Sequence, residues 1–244
     1  MNRSIKKVAL ITGANKGIGL EVARQIGRAG LTVLLGARNP AAGRSAAATL
    51  AGEGLDAHFL IIDVTDRGSI AAAAAAVGRD YGRLDVLVNN AGISDPADGW
   101  PSAADLDAVE RVVRTNFLGP VAVTQAMLPW LRKAPAGRIV NVSSGLGSLT
   151  RNSDPGSPFA NTKVIGYNAS KAALNMLTVH LAFELRDTAI KVNAAAPGYT
   201  ATDLNGHQGH QTIPEGAAEA VRLALLPDDG PTGTFSDRQG IVPW

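Results

Sequence analysis

The stretch Val8-Ala-Leu-Ile-Thr-Gly-Ala-Asn-Lys-Gly-Ile-Gly19 joins a short apolar run to a segment with helical periodicity. Val8–Ile11 has the composition of a buried strand, and apolar residues then recur at helical spacing over residues 17–29. The stretch therefore predicts a strand that turns through glycines directly into a helix, which is the opening unit of an α/β fold.

The same alternation of β-branched runs and Ala-rich helical stretches continues along the chain. It predicts a doubly wound, Rossmann-type parallel sheet of about seven strands, covered by helices on both faces. The further strands are expected at residues 31–35, 57–62, 84–88, 138–142, 190–195 and, as a short last strand, 233–235. The further helices are expected at residues 41–50, 69–77, 105–114, 117–132, 167–186 and 214–225. Residues 145–163 and 198–213 show no clear element, and loops of that length are often functional or mobile.

The composition indicates one globular domain over residues 1–244, because no linker or compositional break divides the chain. Hydrophobic residues make up 45% and charged residues 18%, which is ordinary for a globular protein. The chain has no cysteine, which excludes disulfides, thiolate metal ligands and cysteine nucleophiles together.

The charge pattern argues against nucleic acids and membranes as partners. The net charge is only +2, no dense basic stripe is present, and aromatic residues that could stack on bases are only 5% of the chain. The basic start, residues 1–7, precedes an apolar run too short for a signal-peptide core, and no run approaches the ~20 apolar residues of a membrane span. We therefore expect a cytoplasmic protein. His207 and His210 lack an apparent third ligand, so no metal is expected.

The glycine turn has the chemistry to bind a pyrophosphate. Glycines let the backbone approach the phosphates, and the helix N-terminus offers unpaired N–H groups with positive partial charge. The glycines stand at positions 13, 17 and 19, a spacing that differs from the usual G-x-G-x-x-G, so a simple tight turn is the alternative. No Gly-Lys-Ser/Thr follows, which excludes a P-loop.

The end of the second predicted strand favours NADPH over NADH. Where an acidic residue would hold the adenosine ribose, the chain has Ala37 and then Arg38, which can pair a 2′-phosphate bidentately. Lys16 adds a second positive charge, although both residues can equally be solvated surface cations. Asp63, which ends the third strand, can accept a hydrogen bond from the adenine amino group or merely cap the next turn.

Tyr167 and Lys171 are a candidate acid/base pair. Residues four apart lie on one face of a helix, so the Lys171 ammonium is expected near the Tyr167 phenol. A neighbouring cation favours the phenolate and lowers the pKa of tyrosine, which lets the phenol exchange a proton near neutral pH. This spacing is common by chance, and a plain surface pair would explain it alone.

Several motifs occur together and in order along the chain. They are the glycine turn Thr12–Gly19, Asn89-Asn-Ala-Gly92, Asn116, Val142-Ser-Ser144, Tyr167 with Lys171, and Pro197-Gly198. The combination resembles the compact, single-domain branch of the short-chain dehydrogenase/reductase family, and the resemblance covers essentially the whole chain. The opening half, with its glycine turn, Ala37-Arg38 and Leu84–Ile93, is especially similar to the NADPH-dependent carbonyl reductases.

The resemblance implies a role for each matching residue. Tyr167 corresponds to the general acid/base, and Ser144 to the hydroxyl that bonds the substrate oxygen. Lys171 corresponds to the residue that holds the nicotinamide ribose and lowers the tyrosine pKa, and Asn116 to the one that holds a water in the proton relay. Taken singly, Asn116 and Pro197 can be structural. The residues placed around NADPH or NADP+ are Gly13, Asn15, Lys16, Gly17, Ile18, Gly19, Arg38, Asp63, Val64, Asn90, Ala91, Gly92, Tyr167, Lys171, Pro197 and Gly198.

The resemblance thus implies an oxidoreductase that moves a hydride between NADP(H) and a carbonyl or alcohol, most simply a ketone or aldehyde reductase. The alternative is a non-catalytic NADP(H)-binding protein that regulates a partner. A nucleotide-sugar epimerase or dehydratase usually has a longer chain with a C-terminal substrate domain.

One feature departs from the family pattern. Ser144 and Tyr167 are 23 positions apart, more than is usual, and the extra length lies in 151–163, rich in Ser, Pro, Asn and Gly. Monomeric carbonyl reductases carry a much longer insert there, which obstructs association, so the shorter insert here leaves room for a homodimer or homotetramer through the long helices. Substrate specificity is expected from residues 93–102, 145–163 and 198–213. Plausible pocket residues, each of which can equally be ordinary packing, are Trp100, Leu146, Tyr199 and Leu204.

Overall fold

The central sheet has eight strands in the order β3-β2-β1-β4-β5-β6-β7-β8 in a computed structural model that describes residues 6–244. Part of the basic start, residues 1–5, lies outside the described residues. The strands are β1 (Val8–Thr12), β2 (Thr32–Ala37), β3 (Ala57–Ile61), β4 (Val86–Asn89), β5 (Arg138–Val142), β6 (Lys191–Ala195), β7 (Phe235–Asp237) and β8 (Gly240–Ile241). Strands β1 to β7 pair in parallel, and β8 is antiparallel to β7.

The expected count of about seven strands is one too few. The last predicted strand, residues 233–235, overlaps β7 only at Phe235, and a short hairpin after β7 adds β8. Asp237 pairs with Gly240 across this turn, its side chain accepts from Gln239 N at 2.8 Å, and Gly240 has φ +133°. A strand of two residues is too short to show a hydrophobic period, which is why the sequence pattern misses it.

The helices cover both faces of the sheet. They are α1 (Gly17–Arg28), α2 (Pro40–Gly52), α3 (Arg67–Asp80), α4 (Leu106–Val113), α5 (Gly119–Leu131), α6 (Leu149–Ser153), α7 (Ile165–Glu184) and α8 (Ile213–Ala224). Several begin at a polar cap that the sequence supplies locally: Asn39 Oδ1 accepts from the N–H groups of Ala41 and Ala42, and Asp66 caps α3 in the same way.

The alternation of side chains along each strand builds two apolar layers. In β1, Ile11 packs with α1 on one face and Leu10 with α3 and α5 on the other. All five residues of β1 are buried, as are those of β2, β4 and β5, so these strands are covered on both faces. This confirms the doubly wound α/β architecture.

The structure differs from two of the sequence predictions. The helices expected over 105–114 and 117–132 form one continuous run, because a π-helical turn, Arg114–Leu118, joins α4 to α5. The 145–163 segment is not without structure: it contains a 3-10 turn at Gly145–Gly147 and the short helix α6, whose first turn Ser148 caps through Arg151 N. The 198–213 segment is largely irregular, with one 3-10 turn at Asp203–Asn205.

The strand order reverses between β1 and β4, and this point places the functional residues. In open parallel sheets ligands bind at such a switch point, at the carboxyl ends of the strands. The predicted residues after β1, β2, β3, β4, β5 and β6 therefore share one edge. No helix among residues 6–244 is both long and apolar enough to cross a membrane.

Candidate functional site

The glycine turn between β1 and α1 is built so tightly that side chains do not fit. Gly13 and Gly17 have φ of +65° and +57°, a region that favours glycine. A Cβ at Gly19 would lie 2.5 Å from Gly13 O and 2.4 Å from Asn90 Nδ2. Each of the three glycines is therefore required by backbone geometry or by close approach.

The N-terminus of α1 is open to an anion. Its cap residue, Lys16, makes no side-chain hydrogen bond to the first turn, and that turn holds no acidic residue. Asn15 and Ile18 are half-buried in the turn, and Ile18 packs on the core below it. Unpaired N–H groups and the positive end of the helix dipole fit the pyrophosphate of a dinucleotide.

The segment after β4 holds the glycine turn in place. The Thr12 hydroxyl accepts from Asn90 N and Ala91 N, both at 3.0 Å, and Asn90 Nδ2 donates to Thr12 O at 2.9 Å. A Cβ at Gly13 would lie 2.9 Å from Ala91 Cα. The Asn90 side chain thus holds the backbone of the glycine turn through hydrogen bonds. Thr12 supports the same contact, and the sequence analysis missed this role.

Arg38 follows the end of β2 beside this turn and is exposed. Among the described residues it makes no ion pair, so its guanidinium is available to a ligand. Lys16 instead contacts Asp203 Oδ2 at 2.5 Å, across the gap to the 198–213 segment. The structure therefore brings one predicted cation to the site unpaired and gives the other a carboxylate partner.

Asp63 behaves as the cap of the next turn. Its Oδ1 accepts from Thr65 N at 2.9 Å and Thr65 Oγ1 at 2.7 Å. Partial burial works to raise the pKa of Asp63, but the Thr65 hydrogen bonds and the charges of Arg38 and Arg114 hold it below its ordinary value. Val64, next in the chain, lies against the start of α5, where a Cβ at Gly119 would be 3.0 Å from Val64 O.

Tyr167 and Lys171 meet on one face of α7, as the spacing predicts. Lys171 Nζ lies 5.6 Å from the centre of the Tyr167 ring and donates to Val142 O at 2.8 Å. Lys171 is only 4% exposed, and burial lowers its pKa to about 8. Gly92 faces the same amine, since a Cβ there would lie 3.6 Å from Lys171 Nζ.

The expectation that Lys171 lowers the Tyr167 pKa is wrong for the protein by itself. Burial raises the pKa of Tyr167, and only a hydrogen bond with Ser144 works in the opposite direction. The physical reason is that burial removes the water that would solvate the phenolate, and the hydrogen bond with Ser144 offsets this only in part. At neutral pH the phenol therefore carries its proton.

Ser144 lies two residues beyond the end of β5 and forms a hydrogen bond with the Tyr167 phenol. Its Oγ also accepts from Leu146 N at 3.2 Å, which orients the side chain at the start of the 3-10 turn. The preceding serine has a different task, because Ser143 Oγ donates to Asn175 Oδ1 at 2.6 Å inside the core. The second serine of the pair is thus the one at the site.

Asn116 is fully buried in the π-helical turn. Its Oδ1 accepts from Ile93 N at 2.8 Å, and its Nδ2 donates to Ile93 O at 2.9 Å and to Ser170 Oγ at 3.2 Å. Ser170 Oγ in turn donates to Tyr167 O at 2.7 Å. Asn116 therefore connects the segment after β4 to the turn of α7 that carries Tyr167, and π-bulges are frequent at such sites.

Pro197 and Gly198 follow β6 at the same edge. Gly198 has φ +77°, and a Cβ there would collide with the Gln211 side chain at 2.4 Å. From this turn the 198–213 segment reaches back over the carboxyl edge of the sheet, where Ser94 Oγ donates to Leu204 O at 2.9 Å.

The four candidate pocket residues separate into two pairs. Trp100 and Leu146 line a cavity of about 480 Å³ beside the first turns of α7. Tyr199 and Leu204 are exposed on the 198–213 segment, with Tyr199 5.9 Å from the His210 ring. The other residues around the cavity are Pro101, Leu149, Asn152, Lys163, Val164, Ile165, Asn168, Ala169 and Ala172.

His207 and His210, which the sequence analysis did not assign to a metal, contact other side chains of the protein. His207 contacts Asp203 Oδ1 at 2.8 Å, and His210 packs on Tyr199. Among residues 6–244 no group of three His, Cys, Asp or Glu side chains is arranged to hold a metal.

Sequence comparison agrees with this geometry. The family model described as short chain dehydrogenase matches residues 7–212. The chain belongs to the short-chain dehydrogenase family. It is 34% identical to short-chain dehydrogenase/reductase 1 of Saponaria officinalis, with 98% of this chain and 96% of that one covered. It is 35% identical to NADPH carbonyl reductase 1 of Bos taurus, with 97% and 98% covered.

A solved structure shows the same fold. The NADPH-bound carbonyl reductase from chicken fatty liver superposes with a TM-score of 0.86 at 29% identity, covering 98% of this chain and 99% of that one. The family and the architecture together make this chain a member of an oxidoreductase family that uses nicotinamide cofactors.

The buried Lys171 leads to a prediction about stability against pH. Its folded pKa of about 8 lies below the ordinary value of 10.5, so the unfolded chain binds the proton more tightly. The folded state bears the full cost of the buried charge below pH 8, and the cost is relieved as the pH rises towards 10.5. We expect the unfolding free energy of the wild type, relative to Lys171→Met, to rise by on the order of 3 kcal/mol across this window.

Urea denaturation of both proteins at pH 7, 8, 9 and 10 measures this difference. The comparison cancels the titration of all other groups. A difference that stays constant from pH 7 to pH 10 would contradict a depressed lysine pKa.

Proposed function

We propose that this protein is an NADPH-dependent reductase of ketones or aldehydes. The observation that carries the proposal is the placement of the Tyr167 phenol against Ser144, with the buried Lys171 amine beneath its ring, at the sheet edge that also holds the glycine turn. Similarity to NADPH carbonyl reductases over nearly the whole chain supports it.

In the proposed reaction the substrate carbonyl oxygen binds between the Ser144 and Tyr167 hydroxyls. When bound, the reduced nicotinamide supplies the hydride that bonds to the carbonyl carbon. The Tyr167 phenol gives its proton to the oxygen as the C=O double bond becomes a C–O single bond, so an alcohol forms. The Lys171 ammonium stabilises the resulting phenolate until a proton returns through the polar groups around Asn116.

The protonation state of the pair fits the role of the phenol as an acid in reduction. Burial raises the pKa of Tyr167, so the phenol is an acid at neutral pH, and Lys171 with a pKa of about 8 is mostly charged there. A general acid must carry its proton before the hydride arrives. The oxidative direction would need the phenolate first.

Replacing Tyr167 tests the acid. Tyr167→Phe keeps the ring and removes the proton donor, so we expect kcat to fall about 10²–10⁴-fold, with NADPH affinity within about twofold of wild type. NADPH oxidation at 340 nm with a panel of ketones and aldehydes measures kcat. Fluorescence titration with NADPH measures the affinity for NADPH.

Tyr81→Phe, at the end of α3 and away from the carboxyl edge, is the matched control and should keep wild-type turnover. Near-normal turnover of Tyr167→Phe would remove the phenol from the mechanism. Wild-type protein that binds NADPH but reduces no member of the panel would favour the non-catalytic, regulatory alternative.

The preference for NADPH over NADH is assigned to Arg38. It is exposed, forms no ion pair among the described residues, and follows β2 next to the glycine turn, where the 2′-phosphate of NADPH would come to lie. Lys16 lies at the same turn, and its contact with Asp203 has to open before it can add a second positive charge.

Removing the Arg38 charge should therefore change cofactor choice. Arg38→Ala is expected to raise KM for NADPH by roughly 10-fold or more and to leave KM for NADH within about twofold, because only NADPH carries the 2′-phosphate. Arg28→Ala, whose guanidinium pairs with Glu53 at the far end of α1, is the control for loss of a surface cation. Equal losses with both cofactors would refute a role in reading the phosphate.

The cavity beside α7 is the best candidate for the non-reacting part of the substrate. Leu146, which lines it, donates its N–H to Ser144 Oγ, and Asn168 adjoins Tyr167 in the chain, so the cavity borders the hydroxyl pair. Its walls are mainly apolar, which suits a bulky hydrophobic carbonyl compound. The substrate class proposed is therefore a ketone or aldehyde with a large apolar group.

We also propose that the protein associates with itself through α7. Met176, Val179 and Phe183 recur at helical spacing and are 56%, 38% and 68% exposed, so they form one apolar stripe on the outside of the helix. Large exposed apolar surfaces mark interaction sites. The stripe is free of the 151–163 insert, which packs near the first turns of α7.

Phe183→Glu should break this association. We expect light scattering coupled to size exclusion to show a dimer or tetramer for the wild type and a monomer for the variant, because a carboxylate cannot be buried in an apolar interface without a partner. Ile241→Glu, an equally exposed apolar residue on β8, should leave the assembly unchanged. A monomeric wild type would overturn this part of the proposal.

A further inference from the structure

The helix that carries Tyr167, α7, has no capping side chain at its N-cap position. The residue before its first turn, Val164, has no side-chain oxygen to accept the free N–H groups of Ile165, Gly166 and Tyr167. Unpaired N–H groups at a helix start are normally satisfied by a Ser, Thr, Asp or Asn at this position. The first turn of α7 therefore depends on groups from elsewhere in the chain.

Those groups come from the loop after β4, far away in sequence. Asp98 Oδ1 accepts from Gly166 N at 2.9 Å, and Asp98 Oδ2 accepts from Tyr167 N at 2.8 Å. Gly99 O accepts from Ile165 N at 2.9 Å. Two adjacent loop residues thus satisfy all three N–H groups, and one of the hydrogen bonds ends on the backbone of Tyr167 itself.

The fit between the carboxylate and the helix is close. A Cβ at Gly166 would lie 3.1 Å from Asp98 Oδ2 and 3.0 Å from Val109 Cα, so glycine lets the carboxylate reach the backbone. A negative charge at a helix N-terminus also interacts favourably with the helix dipole. These contacts fix the position and the orientation of the first turn of α7.

The loop that presents Asp98 is itself anchored. Asp98 N donates to Asp95 O at 3.0 Å, and the Asp95 carboxylate pairs with Arg111 of α4 at 2.9 Å. At the other end of the loop, Ile93 exchanges two hydrogen bonds with Asn116. Asp98 is therefore held by α4 and by the π-helical turn, which lets it position α7.

We propose that Asp98 is a positioning residue for the reaction, holding the first turn of α7 so that the Tyr167 phenol meets Ser144 and the substrate oxygen. The inference rests on the proposed reductase function. It assigns to the 93–102 segment a task beyond contact with substrate. Displacement of a reacting group by about 1 Å can cost on the order of 10²-fold in rate, so loss of this hold should appear in kcat.

Two variants remove the Asp98 carboxylate to different extents. Asp98→Ala removes both acceptors, and we expect kcat to fall roughly 10–100-fold with KM for NADPH within about twofold of wild type, because the glycine turn is a separate element. Asp98→Asn keeps one acceptor oxygen and should recover part of the rate. A purely structural role would not give this graded loss in kcat at constant KM for NADPH.

Asp105→Ala is the matched control. Asp105 caps α4 through Ala108 N at 2.8 Å, so its loss removes a helix cap in the same region without touching α7. We expect it to lower the melting temperature by an amount comparable to Asp98→Ala and to leave kcat within about twofold of wild type. Equal losses of kcat in the two variants would reduce Asp98 to a general stabiliser and overturn the proposal.

Hydrogen exchange followed by mass spectrometry tests, without any substrate, whether Asp98 stabilises the first turn of α7. In Asp98→Ala the peptide that covers residues 165–171 should exchange at least about 10-fold faster than in the wild type, and in Asp105→Ala it should not. Unchanged exchange in Asp98→Ala overturns the proposal whatever the activity. If the wild type reduces no carbonyl, the reductase function fails, and the exchange result still supports or overturns the hold on α7.

Discussion

The backbone at the carboxyl end of β1 passes so close to its neighbours that two positions there, Gly13 and Gly19, exclude a side chain. Gly19 lies against Gly13 O and Asn90, and Gly13 lies against Ala91, which joins the first strand–helix unit to the segment after β4. This contact forms at the point where the strand order reverses. Because the glycine turn and the Tyr167–Lys171 pair lie at the edge of the sheet where these segments leave it, their relative positions depend on this close approach.

Burial determines the direction of both pKa shifts in the Tyr167–Lys171 pair. It works against the charge on both partners, lowering the pKa of Lys171 to about 8 and raising that of Tyr167. The lysine charge is retained at neutral pH next to Val142 O, while the phenol stays protonated. The proposed reaction needs the phenol in a fixed position, and the hydrogen bonds from Asn116 and Asp98 hold the turns around it.

The three irregular segments differ in how they are held. The 93–102 segment is tied to α4 and α7, the 145–163 segment folds in part as α6 against the cavity, and the 198–213 segment contacts the glycine turn through the Lys16–Asp203 pair. The last contact joins two exposed side chains and is weak by nature. The 198–213 segment is thus joined to the glycine turn by an exposed ion pair and to the segment after β4 by the bond from Ser94 Oγ to Leu204 O.

The sequence by itself determined the doubly wound fold, the glycine turn and the Tyr167–Lys171 pair, because each depends on a local pattern: strand and helix periods, glycine spacing, and the four-residue repeat of a helix face. It did not determine the cap of α7 by Asp98, the role of Thr12, the partner of Lys16 or the direction of the Tyr167 pKa shift. Those arise from residues distant in the chain and from desolvation, which exist only once the sheet has brought the strand ends together.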